Sequence, residues 1–361
     1  MNSIQFVVFF FIGCFVALAL QVYYYSPISP DLLHLPTPSL THSLFPTNTY
    51  LQEVTKIGEG RLKDPEDVSV DKEGILYTAT RDGWIKRLHK NGSLEDWKWV
   101  ENGSLLGLTT LATGGIAVCD SELGLLRVTE DGVTALATQF NKSDIKFADD
   151  VIEAKDGSLY FSVPSTKYML HEWHLDMLEA KPHGQLLKYN PSANEVSLVL
   201  DNLCFPNGVA VSEEQDYLLV CETWKFRCLK HWLAGDLQGK TEVFIDNLPD
   251  GPDNINLAPD GSYWIALVQL TDKRFDFVHT SKIAKHLIAT FPGILDIMQA
   301  FNKKATVMRV SADGKVLEKY DDPEGKVVNF VTSAVEYEGN LYLGSLKADF
   351  VGKLPLPNNK S

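Results

Sequence analysis

Six times between Pro65 and Leu354 the chain returns to one theme: an apolar strand, a turn rich in Gly, Asp, Asn or Glu, and a second strand carrying Tyr, Trp or other apolar residues. The six runs are PEDVSVDKEGILYTATRDGWIKRL, LLGLTTLATGGIAVCDSELGLLRV, FADDVIEAKDGSLYFSVPSTK, FPNGVAVSEEQDYLLVCETWKFRCLKHW, GPDNINLAPDGSYWIALVQL and VTSAVEYEGNLYLGSLKADFVGKL. Apolar residues alternate at the strand period around each turn, and the spacing is roughly 40 residues where nothing is inserted. A single unit of this kind cannot cover both of its faces, so six of them are expected to close into a ring around a central channel. The expected fold is therefore all-β, a six-bladed β-propeller over residues 50–356. The early segment YLQEVTKIG would supply the strand that completes the last blade and locks the circle.

What precedes the ring is of another kind. Residues 1–25 are an N-terminal hydrophobic leader, unbroken from Phe6 to Leu20 and without Lys or Arg before Lys56. That is long for a signal-peptide core and close to the ~20 residues of a membrane span, so a cleaved signal and a retained signal-anchor both fit. Either sends the rest of the chain into the secretory pathway, and an anchor would associate it with a membrane. Residues 26–49 carry too many prolines for a helix or a central strand and read as a tether, or as an arm along the surface. Residues 357–361 are a tail. In a lumenal setting the sequons at Asn91, Asn102 and Asn141 become candidate glycosylation sites. Cys119, Cys204, Cys221 and Cys228 allow one or two bridges in a pairing the sequence does not fix; at least two of the four are expected to stay buried free thiols. A net charge of −14 without a basic run excludes a phosphate-backbone grip, so nucleic acid is not an expected partner.

Two segments break the strand rhythm. KYMLHEWHLDMLEA and SKIAKHLIATFPGILDIMQAFNKK have helical spacing, and each follows the second strand of its unit, in units three and five. Insertions at equivalent places should project from one face of the ring. They could form lids or a membrane-surface patch, or simply pack on the rim, and their histidines are expected on solvated helical faces.

The first residues of four units carry the chemistry. They are Glu66-Asp67, Asp149-Asp150, Asn207 and Asp253-Asn254, each directly ahead of an apolar inner strand. In a propeller the inner strands line the axis, so these oxygens converge. Converging carboxylates repel and resist desolvation unless a cation lies between them. Oxygen donors without sulfur or imidazole suit a hard ion, Ca²⁺ first, with Mg²⁺ or Mn²⁺ behind it.

With PEDV, FADDV, FPNGVAVS and GPDNI, followed by APDGSYWIAL, the chain resembles the strictosidine synthase-like proteins of plants. It is also similar in layout to the animal adipocyte plasma membrane-associated protein, and more distantly to calcium-dependent lactonases such as paraoxonase and gluconolactonase. By motif position the resemblance implies Glu66, Asn207 and Asp253 as core metal ligands. Asp149 stands where the lactonases usually carry Asn, and Asp67 and Asn254 match neighbouring ligands. It further implies Asp253 as general base, with Asp150 a second candidate, for hydrolysis of a small-molecule ester, lactone or other hydrophobic substrate. The catalytic Glu that strictosidine synthase carries in its last blade has no counterpart between Lys326 and Glu336, where Asn329 and Thr332 stand, so true strictosidine synthesis is not expected. The alternative is a non-catalytic propeller, pinned by calcium, that binds a lipid or a protein partner. The plant family implies the vacuole, with the endoplasmic reticulum lumen or a membrane-anchored lumenal form as alternatives.

Overall fold

The structure is a computed structural model that describes residues 3–34, 45–270, 273–295 and 303–357. Six four-stranded antiparallel sheets follow one another along the chain as blades 1 to 6. Their innermost strands are Val68–Val70, Leu105–Thr110, Val151–Glu153, Pro206–Val211, Gly251–Leu257 and Val331–Tyr337. Blade 6 is closed by the N-terminal strand Thr55–Ile57, which pairs antiparallel with Val351–Pro355 in the register Thr55↔Lys353 and Ile57↔Val351. The expected ring and its closing strand are both present.

The second strand of each blade shows why the units need neighbours. Tyr263–Val268 is buried at all six positions, and Leu159–Val163 at all five. Both faces of such strands are covered by adjacent blades, so continuous apolar runs replace the usual alternation. Outer strands differ: Glu195–Leu203 buries one residue of its nine. The turn into Tyr263–Val268 needs Gly261 at a φ of +82°, where Gly261 donates to the Ala258 carbonyl.

Neighbouring blades are clasped at the axis. Asp67 of blade 1 accepts the Leu108 N–H of blade 2 at 3.0 Å, and Asp150 of blade 3 accepts the Val209 N–H of blade 4 at 2.7 Å. The receiving blades carry glycine at the equivalent position. A Cβ on Gly107 would lie 2.6 Å from Asp150 Oδ1, and one on Gly208 would lie 2.4 Å from the Ile255 amide nitrogen.

Helix α1 (Ser3–Tyr25) is exposed along nearly all of its length, with Val22 half-buried, and it contacts the second insertion. The first insertion carries the short helix α2 (Trp173–Glu179); the second carries α3 (Lys273–His279) and α4 (Lys282–Thr290). Residues 26–34 form an arm that ties the two insertions together. Asp31 N donates to the Glu179 carbonyl and Leu33 N to the His279 carbonyl, both at 3.0 Å. Lys285 Nζ donates to the Asp31 carbonyl at 2.6 Å, while Ile28 and Leu33 are buried. The remainder of the Pro-rich segment, residues 35–44, and the tail beyond Pro357 lie outside the described residues. Cys221 and Cys228 form a disulfide across two paired strands of blade 4, and Cys119 and Cys204 are buried free thiols.

Gly208→Ala forces a methyl group into the Ile255 backbone, so the substitution should lower stability by about 1–3 kcal/mol, the usual cost of overpacking a rigid core. A thermal melt of the variant against the parent chain measures it; an unchanged melting temperature would show that the blade 4–blade 5 contact yields freely.

Candidate functional site

In blades 4 and 5 irregular pairing at the blade start aims the functional side chains. The register between inner and second strands slips between Pro206 and Val209 in blade 4 and between Pro252 and Ile255 in blade 5. A bulge of this kind re-aims side chains locally. The outcome is an alternation. Glu66, Asp149, Asn207 and Asp253 line one cavity of about 430 Å³ on the face bearing the insertions. Asp67 and Asp150, one residue later, line a separate hollow on the other side.

These four side chains are all buried. Glu66 Oε2, Asp149 Oδ2 and Asn207 Oδ1 have no hydrogen-bond partner. The Asn207 amide is hydrogen-bonded to Asp253, and Asn254 Nδ2 donates to Glu66 Oε1 at 2.9 Å. Buried acceptors without a partner are rare because each forfeits its hydration, and a charged one forfeits more. Burial pushes the Glu66 and Asp253 carboxyls well above the usual range, reinforced by the neighbouring acids. Burial also pushes Asp149 up to about 7, against the pull of Arg81.

Arg81 is the part of the site that the sequence reading lacks. It lies in the turn between the second and third strands of blade 1 and lines the same cavity, with Nη1 buried and unpartnered. Its guanidinium faces the field of Glu66 and Asp149 while burial lowers its own pKa. A Thr-Arg-Asp-Gly turn looks like ordinary surface, and no local pattern separates this arginine from a solvated one.

Among the described residues no three His, Cys, Asp or Glu side chains draw close enough to make a closed cage by themselves. The donors form a looser half-shell: three carboxylates, one amide oxygen, and three orphaned atoms. That set fits a hard divalent cation, which would satisfy the orphans and offset the mutual repulsion. The Glu66, Asp149, Asn207 and Asp253 side chains would hold it. Asn254 reaches Glu66 through its nitrogen, so its part is to orient that ligand.

Asp150, the second candidate base, is placed differently. Its Oδ1 accepts from Val151 N and its Oδ2 from Val209 N, both at 2.7 Å, outside the cavity. Both oxygens are occupied by backbone, so Asp150 clasps blades and faces no substrate. Asn329 and Thr332 also fall outside the cavity; the Thr332 hydroxyl donates to the Glu66 carbonyl at 2.6 Å. Glu336 accepts from Trp264 Nε1 at 2.7 Å.

Most of the remaining wall is apolar, although Asp64, Glu122, Gln269 and Lys347 also border the cavity. Phe205 and Trp224 stack at 4.3 Å, Phe147 meets Phe205 edge-on at 5.6 Å, and Phe330 adds a further ring. Met169, Leu170, His171 and Trp173 from the first insertion, and Leu270 and Phe275 from the second, form the upper wall. The insertions are therefore covers of the mouth. The expectation of solvated histidines fails for two of them. His279 is buried against Phe275, and His183 lies between Asp176 at 2.9 Å and Glu179 at 3.2 Å. Asn91, Asn102 and Asn141 are all exposed on turns.

Comparison with known proteins agrees with this architecture. The strictosidine synthase family profile matches residues 149–236, and that of the strictosidine synthase-like N-terminal region matches 44–88. Strictosidine synthase-like protein 4 of Arabidopsis thaliana is 32% identical over 364 residues, covering 96% of this chain and 95% of that protein. The adipocyte plasma membrane-associated protein of Mus musculus is 30% identical over 353 residues, covering 92% and 85%. Among solved structures, a gluconolactonase from Xanthomonas campestris superposes with a TM-score of 0.61 at 14% identity, covering 92% of this chain and 99% of that one. The calcium-binding protein regucalcin of Agrobacterium tumefaciens does so at 0.55 and 14%, covering 86% and 95%. At such identities these two share the fold.

The raised carboxyls set a pH dependence. An acid whose folded pKa exceeds its unfolded value binds its proton more tightly when folded, so stability is greatest below the unfolded pKa and falls as pH rises through the folded one. With Asp149 at about 7 and Glu66 and Asp253 also raised, chelator-treated protein should melt at progressively lower temperature as pH goes from about 5 to about 8. A melting temperature that climbs over that window would contradict the placement of these acids.

Proposed function

The chain belongs to the strictosidine synthase-like family, and from that premise we propose that it is a metal-dependent hydrolase of lipophilic esters or lactones. The observation that carries the reading is the juxtaposition of three orphaned buried oxygens with aromatic walls in one covered cavity. Glu66, Asp149, Asn207 and Asp253 would hold a divalent cation, Ca²⁺ by donor type. When bound, the ion supplies a Lewis acid that polarises the substrate carbonyl and stabilises the charge developing on its oxygen.

The protein's own groups do the rest. Phe147, Phe205 and Trp224 take the apolar part of the substrate and leave the carbonyl at the polar floor. Asp253, its carboxyl raised by burial and by neighbouring acids and oriented by the Asn207 amide, removes a proton from a water molecule as that water adds to the carbonyl carbon. The carbon–oxygen bond to the leaving group then breaks, and Asp253 returns the proton to the departing oxygen. Arg81 offers an unpartnered N–H to the carboxylate product. The two insertions limit access of bulk water, which strengthens every charge interaction at the floor. A condensation of the strictosidine synthase kind is not part of the proposal, since the last blade places no acid in the cavity.

The second reading, a calcium-pinned propeller that binds a lipid or a partner without turnover, draws on the same half-shell and on the absence of a histidine among the four donors. Location in the secretory pathway as a membrane-anchored lumenal protein, with glycosylation at Asn91, Asn102 and Asn141, accompanies both readings.

Asp253→Asn retains an oxygen donor and removes the base. Hydrolysis of aryl esters and lactones should fall by about 10²-fold or more with little change in melting temperature; undiminished turnover removes Asp253 from the mechanism. Calcium added to chelated parent protein should raise melting temperature and turnover together. A rise in melting temperature with no turnover across a broad ester panel selects the non-catalytic reading.

A further inference from the structure

We propose that the second insertion and the arm dock on the lipid bilayer that holds α1, so that the cavity opens at the membrane surface and takes its substrate from the lipid phase. The docking surface stands on geometry alone; the substrate source rests on the hydrolase reading above.

The first observation is the position of α1 relative to α4. Its 23 residues reach about 35 Å at 1.5 Å per residue, enough for a hydrocarbon core of about 30 Å. The helix ends in Tyr23, Tyr24 and Tyr25, all exposed, the residue type that settles where lipid meets water. The next residue, Ser26, shares a 2.7 Å hydrogen bond between its Oγ and His286 Nδ1 of α4. No linker intervenes, and α4 packs directly against α1. If the tyrosines mark the bilayer boundary, α4 lies at it.

The second observation is what that region displays. Phe277 of α3 and Ile283 of α4 are 66% and 74% exposed, and Ile294 and Leu32 join them on the same insertion and arm. Their helices bury the opposite face through Phe275, Val278, Ala284 and Ile288. Elsewhere on the propeller, exposed large apolar residues such as Trp99, Leu198 and Leu317 are scattered singly over separate blades, which is normal for a soluble surface. Four carried by one insertion and by the arm bonded to it are not scattered in this way. Exposed Lys282 adjoins Ile283, and its long side chain can reach back to the headgroups. A chain of net charge −14 gains little from an anionic surface, so the fitting partner is a zwitterionic bilayer entered by apolar side chains.

The third observation joins this surface to the cavity. Leu270 and Phe275 of the same insertion form part of the cavity wall. One helical pair thus has its inner side on the cavity and its outer side towards lipid. A lipophile moving from the bilayer into the cavity would pass along it without crossing water.

Depth-dependent fluorescence quenching of the full-length chain tests this. On a Cys14→Ser background, Phe277→Cys and Ile283→Cys are each labelled with a polarity-sensitive dye, with Leu198→Cys as the control. Each is reconstituted into phosphatidylcholine vesicles containing doxyl-labelled lipid. Labels at 277 and 283 should show blue-shifted emission and strong quenching, while the label at 198 shows neither. Emission and quenching at 277 and 283 equal to the control would overturn the docking surface, whatever the enzyme does. The double variant Phe277→Glu, Ile283→Glu should turn over a long-chain ester dissolved in the same vesicles several-fold more slowly, with turnover of a short water-soluble ester unchanged. Equal effects on both esters would overturn the lipid-phase source. Quenching at both positions with no turnover of either ester by the parent chain would overturn the hydrolase reading and leave the docking surface standing.

Discussion

Desolvated negative charge at the propeller axis is the constraint on which the rest of this structure depends. Four of the six blades begin by sending polar side chains towards the same axis, and the packing that makes the ring stable also removes the water those atoms would otherwise use. Effective penalties for burying an unpaired ion run to several kcal/mol even after relaxation. The chain meets this with two devices, which sit side by side at the starts of blades 1 and 3. At the second position Asp67 and Asp150 give both oxygens to backbone N–H groups or to a hydroxyl, and so join one blade to the next. At the first position Glu66, Asp149 and Asn207 keep oxygens unpaired, and with Asp253 they face a cavity. One set builds the ring; the other gives it a chemical purpose.

The cavity connects that purpose to the upper face. Its floor is acidic with Arg81 as a local counter-charge, its sides are aromatic, and its upper wall comes from two insertions that the arm holds together. Asp149 adds a negative charge at a place where an amide would serve as donor, and Arg81 lies where it offsets that charge. Inside the first insertion, Asp176 and Glu179 are fully buried but bonded to Ser165, Trp224, Tyr168, His183 and Lys167. Those acids are satisfied and hold the cover in shape, in contrast to the unsatisfied ones below.

Much of the fold was legible because a repeat tests itself six times. Alternation around Gly- and Asp-rich turns located every blade, and YLQEVTKIG identified the closing strand. The site was legible to the extent that it is carried by blade starts in register. What the sequence did not disclose were relations across blades. Asp149 and Asp150 are adjacent and identical, yet one faces the cavity and the other a backbone amide of the next blade; successive extended residues point to opposite sides, and which side meets the cavity is set by the neighbouring blades. Arg81 was invisible for the same reason, since its partners lie in other units. Burial of His279 and Lys285 depended on the arm, which pairs with elements some 150 to 250 residues away.

The most direct test of the central claim is a metal analysis of the full-length protein purified without chelator, alongside Asn207→Ala. The account predicts about one divalent cation per chain, calcium by donor type, and a marked loss in the variant. Protein that retains no divalent ion, or holds one equally well after Asn207→Ala, would contradict it.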